Sequence, residues 1–285
     1  MRIQTHTVCL YPNTRKTLPA EPLRAVTDKL RTLGWTVCVT DKAYESDGLP
    51  FCAPETAFAK NDLAVVLGGD GTMLRAAHLA CAHPNGQGEP IPLLGINFGN
   101  VGYMTELETG ELQLLDGLSE APVENRMLLD VSVKDVSGAV TGPFLALNET
   151  VICREQAGKI LKLKLYCDGH EVSSYRADGM ILSTPTGSSA YNLSAGGPII
   201  DPKLNALVLC PLAAFTLSSV HPMVFSPESV LEIAAEGSAA VTCDGKVVST
   251  LPEGGRLTVS RSPSCLRLVK LKNANFYEVL LRKLS

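Results

Sequence analysis

The hydrophobic pattern of this chain changes period near residue 125, and that change narrows the folds open to it. Before it, helical and strand-like segments alternate. "HTVCLYP" (6–12) reads as a first strand. Residues 22–33 place Leu23, Val26, Leu30 and Leu33 at spacings of three and four, one face of a helix. "WTVCVT" and "LAVVL" read as a second and third strand, 73–82 as a helix with Thr72 as its cap, and "IPLLGIN" as a fourth strand. Such alternation predicts a mostly parallel, Rossmann-like sheet with helices on its faces. After residue 125 the period falls to two. "LLDVSVK" alternates Leu129, Val131 and Val133 with Asp130, Ser132 and Lys134. Asp168-Gly169 and Asp244-Gly245 carry the signal of two-residue hairpins. "GRLTVSR" and "LRLVKLK" read as further strands, so this part is expected to be β-rich. The last residues return to helical spacing. Phe276, Val279, Leu280 and Leu284 share a face, and Asn275 and Glu278 form a capping-box variant. The expected division is an α/β domain over 1–125, a β-rich domain over 126–271, and a helix over 272–285 that returns to pack on the first domain.

Composition removes several function classes. The formal net charge is −4, with no basic stripe of the kind that holds nucleic acid. No run of 18 apolar residues is present and the N-terminus lacks a signal-peptide core, so neither membrane nor export is expected. The 9 cysteines are scattered singly without a C-x-x-C pair, which argues against zinc and for reduced thiols in a cytoplasm.

Three stretches carry the chemistry. The first is Gly68-Gly69-Asp70-Gly71-Thr72, where the apolar run "LAVVL" stops. Glycines at a strand end let a ligand approach the backbone, and N–H groups there and at the next helix start can receive phosphate oxygens. A carboxylate would repel bare phosphate, so Asp70 needs another use. It could take a proton from a hydroxyl nucleophile, hold a magnesium-bound phosphate, or merely cap the helix. No Gly-Lys-Ser/Thr follows, so this is not a P-loop, and only Gly69 and Gly71 fit the dinucleotide fingerprint. The second stretch is "FLALNETVICR". Asn148 and Glu149 interrupt a strand-like run, and consecutive strand residues reach one ligand only at a strand end or bulge. An edge strand with one exposed polar residue is the alternative. The third is "SSYRADGMILSTPTGSSAYNLSAGGPIIDP" (173–202), dense in glycine and hydroxyl residues but without a G-x-S-x-G elbow. It reads as backbone and hydroxyl donors packed near something flat or polar, with a long structural loop as the alternative.

Together these stretches, with "GINFGNVGYMTEL", "NRMLL" and "VTCDGK", resemble the NAD kinase family. The likeness spans nearly the whole chain. The glycine–aspartate turn alone is weak, since diacylglycerol kinases, sphingosine kinases and phosphofructokinases carry similar ones. "STPTGSSAYNLSAGGP" is far more specific. The resemblance implies a magnesium-dependent, or other divalent-metal-dependent, transfer of the ATP γ-phosphate, or of a polyphosphate phosphoryl group, to the adenosine ribose 2′-hydroxyl of NAD. It implies an α/β domain and a β-rich NAD-binding domain with NAD between them, a homodimer or homotetramer, and no resident metal ligands. Asp70 matches the proton acceptor, with Gly71 beside it. Asn148 and Glu149 match the pair that holds the adenosine part, and Tyr103 the aromatic beside adenine. Lys159, Arg176, Asp178, Thr186, Ser189, Ala190, Tyr191, Asn192, Leu193, Ser194 and Lys246 match other NAD-contacting positions. Two departures stand out: Phe215 and His221 replace a histidine and an arginine of the family pattern, and Lys246 stands where glutamine is usual. The alternatives are a lipid kinase sharing the turn, and a non-catalytic NAD sensor.

Overall fold

The computed structural model describes residues 6–15, 18–99, 102–155, 160–215, 221–273 and 276–284. The chain forms two compact units, 1–125 with 266–285, and 126–265. The first contains β1 (Thr7–Pro12), α1 (Ala20–Thr32), β2 (Thr36–Val39), α2 (Pro54–Lys60), β3 (Leu63–Leu67), α3 (Asp70–Ala82), β4 (Leu93–Asn97) and β5 (Leu107–Glu108). β2, β1, β3 and β4 lie side by side in parallel, with Cys9 opposite Cys38, Leu10 opposite Val65 and Val66 opposite Gly95. β3 and β4 are buried at every position, as continuous apolar runs in a sheet covered on both faces should be. Leu23, Val26 and Leu30 of α1 pack into the same core as Val8, Leu10, Val65, Leu94 and Ile96. The 3₁₀ segment Thr109–Glu120 adds Leu115 and Leu118 to that core.

The second unit carries β6 (Val123–Lys134), β7 (Val140–Ala146), β8 (Glu149–Arg154), β9 (Leu161–Cys167), β10 (His170–Ala177), β11 (Gly179–Ser183), α4 (Tyr191–Ser194), β12 (Leu207–Leu212), β13 (Met223–Phe225), β14 (Leu231–Glu236), β15 (Ala239–Cys243), β16 (Lys246–Leu251) and most of β17 (Arg256–Val269). One sheet runs β13-β12-β11-β8-β15-β16, antiparallel throughout. Another sets β10, β9, β14 and β17 side by side, also antiparallel, beside the β6–β7 pair. Inward residues of both sheets, among them Val131, Leu163, Ile233, Ile152, Leu182 and Val241, make one core. The two Asp-Gly turns close the β9–β10 and β15–β16 hairpins, with φ of 51° and 81° at Asp168-Gly169 and 48° and 75° at Asp244-Gly245. Positive φ at both central residues is what these turns require.

Some expectations need correction. "GRLTVSR" and "LRLVKLK" share one 14-residue strand, β17, which passes through Pro263 and ends at Val269, before the last three residues of the second segment. The helix after the glycine turn begins at Asp70, with Gly69 as N-cap and no side-chain cap. Thr72 lies inside it, and its hydroxyl accepts from Arg75 at 3.2 Å. The final helix, α5 (Phe276–Leu284), belongs to the first unit. Phe276, Val279 and Leu280 are half-buried. Asn275, and with it the capping-box expectation, lies outside the described residues. The 9 cysteines are free thiols. Among the described residues, no helix is long and apolar enough to cross a membrane.

Candidate active site

β3 ends at Leu67 and α3 starts at Asp70, so the aspartate stands at the carboxyl end of a central strand. Open α/β sheets bind ligands there. Its carboxylate does not cap α3. It turns to the segment after β4, where Tyr103 N–H donates to Oδ2 and Met104 N–H to Oδ1, both at 2.9 Å. Lys283 Nζ donates to Oδ2 at 2.9 Å. Gly102 makes this approach possible, since a Cβ there would lie 2.6 Å from Asp70 Oδ1 and 2.5 Å from Thr105 Oγ1. A carboxylate has about four acceptor positions. Among the described residues three are used, so one, on Oδ1, remains. Gly71 is exposed beside it. Asp70, Gly71 and Tyr103 therefore come together in the first unit.

In the second unit, Asn148 and Glu149 stand where β8 begins, the strand end that lets consecutive residues serve one ligand. Their backbone is fixed from two directions. Asp244, in the β15–β16 turn, accepts from the N–H groups of Leu147 (2.8 Å), Asn148 (2.8 Å) and Glu149 (3.2 Å). Thr184 N–H donates to Asn148 O at 2.9 Å and its hydroxyl to Leu147 O at 2.5 Å. Gly187 packs so closely that a Cβ would lie 2.0 Å from Asn148 O. This explains why the Thr-Pro-Thr-Gly loop needs its glycine. Glu149 is 7% exposed and one of its oxygens, Oε2, has no partner among the described residues. Burial, reinforced by the Asp244 charge, raises its pKa from 4.5 to about 7, while the Tyr191 N–H bond pulls the other way. A buried carboxyl with one unmatched oxygen is suited to receive a ligand hydroxyl.

The other expected positions separate. Thr186, Ser189, Ala190 and Leu193 are half-buried, and Tyr191 and Ser194 are exposed. Asn192 is fully buried, its amide donating to the carbonyls of Ser188 (3.1 Å) and Pro198 (3.0 Å), so it braces the loop. Asp178 pairs with Arg154 at 3.0 Å. Arg176 and Lys246 are exposed, and Lys159 lies outside the described residues. Phe215 is 67% exposed, and its N–H donates to Arg176 O at 2.6 Å. The sequence reading gave Asp244 only as a hairpin residue and did not single out Lys283. "VTCDGK" marked the aspartate's neighbourhood, but nothing marked the lysine.

Residues 24–120 match the ATP-NAD kinase N-terminal domain and residues 147–271 the ATP-NAD kinase C-terminal domain. The chain belongs to the NAD kinase family. It is an enzyme of that family, a phosphotransferase with NAD kinase activity. The NAD kinase of Leifsonia xyli is 41% identical over 234 residues, 80% of this chain and 74% of that one. That of Pseudomonas putida is 41% identical over 233 residues, 79% and 75% of the two chains. An NAD kinase from Archaeoglobus fulgidus, solved in complex with ATP, superposes with a TM-score of 0.76 at 27% identity, covering 97% of this chain and 98% of the other. Yeast NADH kinase complexed with NADH gives 0.86 at 23% identity over 98% and 87%, a likeness of fold. Membership of the NAD kinase family leaves the lipid kinase and the non-catalytic sensor disfavoured.

Proposed function

We propose that the chain moves the γ-phosphate of ATP, or a phosphoryl group of polyphosphate, onto the 2′-hydroxyl of the adenosine ribose of NAD in one in-line step. The observation that carries this reading is the Asp70 carboxylate, held by two backbone N–H groups with one acceptor position left on Oδ1. That position takes the hydroxyl proton while the ribose oxygen bonds to the γ-phosphorus and the bond from that phosphorus to the bridging oxygen breaks, releasing ADP or shortened polyphosphate. Phosphoryl transfer depends mainly on positioning and charge neutralisation, so one placed base suffices on the protein side. Asn148 and Glu149 hold the adenosine part, and the loop of Thr186 and 189–194 lines the same substrate, with Asn192 supporting it from within. Arg176, Asp178, Lys159 and Lys246 are further NAD-contacting candidates, and Tyr103 is the aromatic beside adenine.

Among the described residues, no three His, Cys, Asp or Glu side chains are grouped to hold a metal ion. A divalent cation is proposed to enter as the chelate of the donor phosphates, as part of the substrate, where it would neutralise phosphate charge. The functional division proposed is 1–125, 126–271 and 272–285, in a cytoplasmic homodimer or homotetramer. The test is NADP formation by pure protein with NAD, magnesium and each donor in turn, with diacylglycerol as a competing acceptor. NAD binding without NADP from any donor would defeat the proposal, as would turnover of the lipid in preference to NAD.

A further inference from the structure

The third donor to Asp70 comes from the other end of the sequence. Lys283 Nζ lies 2.9 Å from Oδ2 and 3.9 Å from the centroid of the Tyr103 ring. A cation next to the first turn of α3 is opposed by the helix dipole. What holds it there is the carboxylate and the π face of Tyr103. The approach is prepared by the rest of the unit. Glu106, 7% exposed, accepts from the N–H groups of Leu271 (2.7 Å) and Lys272 (2.6 Å) and pairs with Lys270. Three residues before it is Tyr103, whose ring lies 6.4 Å from that of Phe276 at the start of α5. One short segment thus supplies the two N–H groups that grip Asp70 and the contacts that seat the helix bearing Lys283.

The two backbone donors treat the carboxylate oxygens alike, one bond each. Lys283 makes them unlike. It fills the second position of Oδ2 and, among the described residues, leaves the open one on Oδ1. We propose that Lys283 is a positioning residue for the transfer: it selects Oδ1 as the atom that takes the hydroxyl proton and keeps the carboxylate plane fixed. Without the ammonium, both oxygens have an open position and the hydroxyl docks in two ways, one of them misaligned. The proposal rests on Asp70 being the proton acceptor.

The test is a double-mutant cycle on the full chain, with Lys283→Met, Lys283→Arg, Asp70→Asn and the Asp70→Asn/Lys283→Met pair. Misplacing a reacting group costs up to about a hundredfold, so Lys283→Met should lower kcat by roughly ten- to a hundredfold. The KM for NAD should change by less than kcat, because the lysine acts on the base directly and meets the nucleotide site only through the Tyr103 ring. Lys283→Arg, which keeps a donor and the charge, should recover most of the loss. In the Asp70→Asn background Lys283→Met should cost nothing further. Unchanged kcat in a folded Lys283→Met protein would overturn the proposal. So would an equal loss in the Asp70→Asn background, which would mean that the lysine acts independently, or a loss in Lys283→Arg as large as in Lys283→Met. Near-normal turnover by Asp70→Asn would instead remove the reading of Asp70 on which it rests, and each result is read from a different variant. Circular dichroism and urea unfolding on every variant separate lost chemistry from lost structure.

Discussion

Glu149→Gln should make the protein more stable at mild alkaline pH and worse at holding NAD. Burial, with the Asp244 charge beside it, raises the pKa of Glu149 from 4.5 to about 7 in the folded chain. A carboxyl whose pKa is raised on folding favours the native state while it is protonated. That contribution is complete below about 4.5. It is lost as pH rises toward about 7, because the unfolded chain has already released its proton while the folded one still carries it. One pH unit corresponds to about 1.4 kcal/mol, so the native state loses on the order of 3 kcal/mol across that window. Glutamine has nearly the same shape and does not titrate. The stability gap between variant and parent should therefore widen by about 3 kcal/mol between acid and pH 8, other groups cancelling because both proteins share them. Urea unfolding at half-unit steps from pH 4.5 to 8, followed by fluorescence, measures it. Parallel stability curves would refute the assignment of the penalty to this side chain. The same variant replaces one acceptor oxygen by an amide donor. If Oε2 receives a ribose hydroxyl, losing a bond to a charged group costs about 1.5–3 kcal/mol, a ten- to hundredfold rise in the KM for NAD. A site residue that costs stability and is kept for binding is the pattern expected of functional positions.

Three further outcomes follow from the geometry. Asp70→Asn should lower kcat by about 10²–10⁴-fold with NAD binding little changed, since it keeps the shape and removes the base; NADP formation beside a direct binding measurement checks it. Gly187→Ala should destabilise by about 1–3 kcal/mol and raise the KM for NAD, because its methyl group would press on the Asn148 carbonyl and shift the β8 start; urea unfolding and initial rates report both. Glu106→Gln should lower the unfolding free energy by about 1.5–3 kcal/mol and raise protease sensitivity near the C-terminus, since two backbone N–H groups and Lys270 lose a charged acceptor. An unchanged urea midpoint there would show that the carboxylate does not anchor the segment.

The elements that carry strong periodicity were legible in the sequence. α1 buries Leu23, Val26 and Leu30, as the spacing of three and four requires, and both Asp-Gly turns close hairpins. Less regular pieces were not. α2 (Pro54–Lys60) and the 3₁₀ segment Thr109–Glu120 are too short or too irregular for a period to show. β17 reads as two strands in the sequence and is one, continuing through Pro263; proline in a strand is tolerated only where its missing N–H is not needed. At the candidate site, the carboxylates were visible but their partners were not. Asp70 is held from 33 and 34 residues away, and Asp244 reaches back 95 to 97 residues to the Asn148 backbone. Such contacts leave no local spacing to read. The glycines, in contrast, were visible as punctuation, and Gly102 and Gly187 turn out to mark close approaches rather than turns.

The first unit is discontinuous in sequence, because residues 266–285 complete what 1–125 begin. Domains fold as units, and synthesis runs from the N-terminus. During synthesis, Asp70 and its two backbone donors exist long before Lys283 does, and Glu106 waits for the backbone of Leu271 and Lys272. A chain cut off early would carry the glycine turn with an unanchored carboxylate at Glu106 and no lysine on Asp70. The last 20 residues thus act as a completion signal. The corner around Asp70 therefore takes the geometry described above only once residues 266–284 have been made.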